Sequence, residues 1–395
     1  MPKISFLIFL SLLFFCGCRF GRVPEYGEFT TRFKGERTEL FCGEKRWDFA
    51  DFVKAELKSH PEMECADLVK FCCQAACGID HADSDAAAKF YQEYNAAATD
   101  KNAELITVTS PDTARVNLGE WKKSGLPPEW LFRMSIAESS FPDHKEKFQE
   151  YLATAALLIP ESRVKFSVDD FLKSAAEITR ETHKIHIPHS QNYLQKNSSY
   201  RVISTRYLHV LPVLKAAAAV IRENPAAKKI IAIDGRSASG KTTLASQLKL
   251  ILNAQVIHMD DFFLPVNMRT KLRYEQAGGN VHYERFKEEV LPHLRKNTAF
   301  SYRIFDCKKN KFHGNRMIWP GDWLIVEGAY CMHPEFGDYS DLKVFCDISP
   351  AEQMRRIYDR NGFRAAENFR SRWIPLEENY IRTFKIDRNA DLIIK

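Results

Sequence analysis

The stretch IAIDGRSASGKTT, residues 231–243, limits what this chain can fold into more than any other. Gly235, four further residues, Gly240, Lys241 and Thr242 form the Gly-x-x-x-x-Gly-Lys-[Ser/Thr] phosphate-loop pattern. The two glycines supply backbone freedom that residues with a Cβ lack. The N–H groups of the loop can then turn inward around phosphate oxygens, which makes Gly235, Ser237, Ser239, Gly240, Lys241, Thr242 and Thr243 the expected ATP contacts. Lys241 is expected to reach the β- and γ-phosphates and Thr242 to hold Mg2+. The flanks agree with the pattern. Lys229–Ile233 reads as a buried strand, and Thr243–Leu250 as an amphipathic helix with Leu244, Leu248 and Ile251 on one face. Such a helix presents its positive end to an anion.

A chain of 395 residues predicts two or three domains. Charge divides unevenly between its halves. Residues 1–200 carry 25 Lys and Arg against 29 Asp and Glu, whereas residues 201–395 carry 32 against 22. The basic half holds the phosphate loop, which fits a small polyanion. No basic stripe interleaved with aromatics is present, so nucleic acid is not an expected partner. Cys65, Cys72, Cys73 and Cys77 fall on one helical segment with no CxxC pair among them. A reduced, cytoplasmic protein is the simpler reading of the ten cysteines. His183, His186 and His189 are read as ordinary polar positions.

The leader, residues 1–21, conflicts with that reading. Lys3 precedes the apolar run ISFLIFLSLLFF and then Cys16-Gly17-Cys18, in the manner of a secretory or lipoprotein signal. The run is short for a membrane-spanning helix. A lipid anchor, an uncleaved tether and a wrongly chosen start all remain open, and membrane contact is expected only through this leader.

Residues 22–200 read as a mainly α-helical domain, with helices expected over much of 49–101, at 129–134, 144–159 and 167–180, and a short extended piece in 102–118. Residues 201–395 form the second expected domain. There, candidate strands at 229–234, 255–259, 323–327, 342–348 and 391–394 alternate with helices, as an α/β doubly wound parallel sheet requires. Ligands bind at the C-terminal ends of such strands. Asp260-Asp261 follows one strand and Glu327 ends another. A carboxylate there can take a proton from a hydroxyl or bind Mg2+, with Asp261 the expected metal contact. Arg356 and Arg360 share a helix face, which suits either a lid closing on ATP or a solvated surface.

These pieces together resemble the uridine kinase and phosphoribulokinase family of P-loop kinases, from about residue 228 to 395. IDGRSASGKTT, HMDDFF, GGNVHYERF (278–286) and LIVEGAY (324–330) carry the resemblance, and RRIYDRNGF and KIDRNADLII are similar to the family's lid and last strand. The resemblance implies a P-loop NTPase fold and implies that Asp260 abstracts the acceptor's hydroxyl proton. It places Phe263 where nucleoside kinases usually have Tyr, Asn280 and His282 in the substrate turn, and Tyr302, Arg303 and Asp306 near the nucleoside. His282 stands where members commonly carry Asp. Segments such as DLVKFCCQAACG and ARVNLGEWKKSGLPPEWLF look like regions of uncharacterised bacterial proteins fused to such a kinase. The implied reaction is transfer of the γ-phosphate of ATP to a small molecule's hydroxyl, with a nucleoside as first choice and a homo-oligomer compatible with it. A sugar phosphate, glycerate or pantothenate is the alternative acceptor, for which Arg269 and Arg285 are candidates, and a non-catalytic ATP sensor is the remaining rival.

Overall fold

The computed structural model describes residues 24–34, 37–78, 85–99, 103–137, 144–181, 187–194, 199–307 and 309–395. The leader, His183 and His186 lie outside the described residues. Among those described, no helix is long and apolar enough to cross a membrane.

Described residues up to Trp121, with Ser135–Arg206, form one compact unit; Lys122–Met134 and Tyr207–Lys395 form another. The first unit is rich in helices, including Phe49–Ser59, Cys65–Cys77, Ala86–Ala96, His144–Leu158 and Val168–Glu181. Asp48 starts Phe49–Ser59 by accepting the Asp51 N–H, a side-chain cap that satisfies one otherwise orphaned donor. Two small antiparallel sheets accompany these helices, the first omitted by the helix reading and the second built partly within the extended piece expected in 102–118. One pairs Phe29–Lys34, Arg37–Cys42 and Lys45–Trp47, and the other pairs Ile106–Val108, Thr113–Asn117 and Tyr200–Ser204.

Polar residues of this unit serve its core. Arg115 is buried and donates to Glu56 at 2.9 Å and to the Tyr193 hydroxyl at 2.8 Å. Asn117 accepts the Glu120 N–H, and Trp121 is fully buried. His189 Nδ1 lies 2.9 Å from Asp67 and its Nε2 2.6 Å from the Tyr200 hydroxyl. Burial alone would raise the Asp67 pKa, but hydrogen bonds from His189 and Ser190 hold it at about 2. Cys72 is also buried, with its Sγ 3.7 Å from the Tyr151 carbonyl.

The second unit carries the α/β sheet. Its elements are β1 (Lys229–Gly235), α1 (Lys241–Leu252), β2 (Gln255–His258), α2 (Tyr283–Glu289), β3 (Phe300–Asp306), β4 (Lys311–Ile318), β5 (Trp323–Glu327), β6 (Leu342–Cys346), α3 (Pro350–Asn361), α4 (Phe363–Asn368), α5 (Ile374–Phe384) and β7 (Leu392–Ile394). The parallel sheet runs β7-β6-β1-β5-β2. Strand β1 is central, with later strands added on both sides of it, so a crevice opens at its C-terminal end.

Every residue of β1 is buried. Ile230 and Ala232 face one core with Leu324, Val326, Phe286 and Tyr380. Ile231 and Ile233 alternate to the opposite face and are also fully buried, each contributing roughly 1.5–3 kcal/mol. The helix Leu211–Glu223 carries Pro212 in its first turn, where a missing N–H costs nothing. Strands β3 and β4 form an antiparallel ribbon that the sequence reading omits. Lys122–Met134 joins this unit through Arg133, which donates to the Ile251 carbonyl at 2.8 Å, and Trp130, which meets Trp323 edge-on.

Candidate active site

The site is assembled where β1, β2 and β5 end. Gly235 closes β1 with φ +142°, and a Cβ there would lie 2.1 Å from the Cys346 carbonyl oxygen of β6. No residue with a side chain fits so close an approach. Asp234 is buried beside it and accepts from the Gly235, Tyr330 and Met332 N–H groups and the Tyr380 hydroxyl. It thereby ties the loop after β1 to the loop after β5. Burial pushes its pKa up despite these donors.

Gly240, at φ +99°, ends the loop and starts α1. Lys241 opens that helix and donates to the carbonyls of Gly235 at 2.9 Å and Arg236 at 2.8 Å. Thr242 donates to Glu327 at 3.2 Å, and His258 Nδ1 lies 2.5 Å from the other oxygen of the same carboxylate. Asp260 stands in the tight turn Met259–Phe262 after β2. Its carboxylate opens into a cavity of about 600 Å³ that Lys241, Thr242 and Glu327 also line. Water reaches it there, but the concave walls strip part of its hydration. That desolvation, followed by the nearby Glu327 charge, pushes its pKa up, and Lys241 partly offsets the rise.

Of the residues expected at the site, Ser237, Gly240, Lys241, Thr242, Thr243, Asp260, Phe263, Asn280, Glu327, Arg356 and Arg360 line this cavity. Others point elsewhere for identifiable reasons. The Ser239 N–H donates within the loop, to the Arg236 carbonyl. Asp261, expected at the metal, is buried and accepts from the Tyr302 hydroxyl at 3.0 Å and Arg316 Nε at 3.1 Å. In so tight a turn successive side chains diverge by about 120°, so Asp260 and Asp261 cannot both face the cavity. Tyr302 therefore supports Asp261 from below. His282 caps α2, its Nδ1 accepting the Arg285 N–H at 3.3 Å. Arg303 is held by Glu289 at 2.5 Å. Arg285 is buried against the Phe262 and Phe312 rings, whereas Arg269 does line the cavity and donates to the Leu264 carbonyl.

Sequence reasoning missed Tyr274, Tyr330, Phe369, Trp373 and Glu377, which also line the cavity. Phe369 and Trp373 sit at the two ends of a π-helical turn between α4 and α5. Their i, i+4 spacing was a readable signal for one face. Arg372 lies 4.9 Å from both the Trp373 and Tyr274 ring centres, which links this turn to the opposite wall.

The donor set suits a hard cation. Thr242 and Glu327 offer adjacent oxygens, and among the described residues no group of three or more His, Cys, Asp or Glu converges to cage a metal alone. Mg2+ commonly takes one or two protein oxygens and completes its shell with phosphate and water.

A possible uridine kinase from Bacillus stearothermophilus is similar to this chain at 20% identity, over 47% of this chain and 100% of its own, with a TM-score of 0.36. A putative fructose transport system kinase from Silicibacter sp. TM1040 is similar at 20% identity, over 47% of this chain and 98% of its own, with a TM-score of 0.39. The family resemblance of the motifs holds for the C-terminal half of the chain, where residues 230–360 match the model of the Phosphoribulokinase / Uridine kinase family.

Proposed function

We propose that the second unit is an ATP- and Mg2+-dependent kinase that phosphorylates the 5′-hydroxyl of a nucleoside. The observation that carries this reading is the convergence of Asp260, Lys241, Thr242 and Glu327 on one cavity. Bound ATP supplies the phosphoryl group. Lys241 exchanges its two carbonyl partners for phosphate oxygens, and Thr242 and Glu327 would hold Mg2+. Asp260 takes the proton of the acceptor hydroxyl as its oxygen bonds to the γ-phosphorus; the bond to the leaving ADP oxygen breaks. The raised pKa of Asp260 suits a base, because its proton affinity approaches that of its task. Arg360 lines the same cavity and neutralises charge on the transferring group.

The aromatic lining supports a flat acceptor. Phe263, Tyr274 and Trp373 bring aromatic rings to the cavity, against which a base can pack. Arg269 favours the second reading, an anionic acceptor such as a sugar phosphate or glycerate. Steady-state kinetics with uridine, cytidine and a set of phosphorylated and carboxylated alcohols separates the two. With a nucleoside, Arg269→Ala is expected to change KM by less than about threefold, whereas an anionic acceptor loses a charge-assisted bond and its KM rises by tenfold or more, roughly. Turnover confined to the anionic set overturns the nucleoside assignment.

A further inference from the structure

The first arm of the phosphate loop is held from outside the loop. Ala238 adopts φ +60°, a left-handed conformation that is strained for a residue with a Cβ. The residues around it are gripped by side chains that follow β6 in the chain. The Ser237 N–H donates to Glu377 Oε2 at 2.9 Å, and its hydroxyl makes a second bond to the same carboxylate. The Ser237 carbonyl accepts from Gln353 at 3.1 Å and the Ala238 carbonyl from Arg356 at 3.3 Å. Arg236 pairs with Glu378 at 2.6 Å and with Asp347.

Glu377 is the central member of this grip. It is 6% exposed, yet it lines the cavity that Lys241 lines. Burial raises its pKa and Lys241 counters the rise. By charge alone, a carboxylate at this place opposes a polyphosphate, so its benefit has to be geometric.

On the reading that this loop binds ATP, we infer that Glu377 is a positioning residue for the nucleotide. By taking both the amide and the hydroxyl of Ser237, it holds the strained turn at Ala238 and so presents Lys241 and the start of α1 to the polyphosphate.

Calorimetric binding of MgATP to the full chain tests this. Glu377→Ala is expected to weaken the Kd by about tenfold, while Glu377→Gln, which still accepts the Ser237 N–H, stays within about threefold of wild type. Ala238→Gly adopts the left-handed turn without strain, so it restores most of the loss when combined with Glu377→Ala. Equal or tighter binding by Glu377→Ala overturns the inference, because the carboxylate then acts only through its charge or not at all. An unrescued loss in the double variant overturns the part played by the Ala238 turn. Should Glu377→Ala fail to fold, Ser237→Ala carries the test: it removes one of the two bonds, and a Kd unchanged from wild type overturns the inference. Failure of the wild-type chain to bind MgATP overturns the kinase reading itself, an outcome distinct from all of these.

Discussion

Asp260→Asn lowers turnover by about 10³-fold while MgATP binding stays near its wild-type value, because the amide keeps the shape of the carboxylate but cannot accept the hydroxyl proton. The same substitution leaves the fold no less stable. Desolvation and the Glu327 charge raise the Asp260 pKa in the folded state. A group with a raised folded pKa contributes its stability below its unfolded pKa and loses it as pH rises through the folded value. At neutral pH the ionised carboxylate therefore costs the fold a little, and Asn removes that cost; access of water to the cavity keeps the gain small. In the wild type, kcat/KM falls as pH drops through a value above the ordinary Asp range, and this acid limb disappears in the residual activity of the variant. Full turnover in Asp260→Asn, or a variant clearly less stable than wild type, contradicts the assignment.

Gly235→Ala destabilises the second unit by about 3 kcal/mol or more, which lowers its Tm by roughly 6–12 °C. The added Cβ meets the Cys346 carbonyl oxygen at 2.1 Å and its N and C atoms at 2.8 Å. Those are backbone atoms of β6, which pairs with β1 at this very register, so neither strand can give way without opening the sheet. Gly240→Ala provides the contrast. Its Cβ meets nothing within 4 Å, and only its positive φ is strained, so a loss of about 1–2 kcal/mol is expected. Thermal unfolding followed by circular dichroism separates the two. Equal melting temperatures for the two variants contradict the close approach of β1 and β6.

The phosphate loop and both strand-end carboxylates were legible in the sequence because each belongs to a local pattern. An apolar run, a glycine turn and an amphipathic helix define β1 through α1, and Asp260 and Glu327 directly follow apolar runs. Which of two adjacent aspartates faces the cavity was not legible, because only the turn at Met259–Phe262 decides it. Glu377 was invisible for another reason. Its partner Ser237 stands 140 residues earlier, and nothing in PLEEN marks one glutamate as the buried one. The sheet of Ile106–Val108 and Thr113–Asn117 was partly legible as the extended piece in 102–118, whereas Lys45–Trp47 has three residues, too few for alternation to show. The ribbon of β3 and β4 was missed because β4 is exposed along most of its length and its apolar residues, Phe312, Met317 and Ile318, do not alternate.

The most direct test of the kinase assignment is to incubate the protein with ATP, Mg2+ and a mixed pool of nucleosides and small hydroxy-metabolites, and to follow ADP and new phosphorylated masses together. The predicted result is a nucleoside monophosphate formed in step with ADP, and absent with Asp260→Asn. ATP bound without any phosphorylated product, or product formed equally by Asp260→Asn, contradicts phosphoryl transfer through this site.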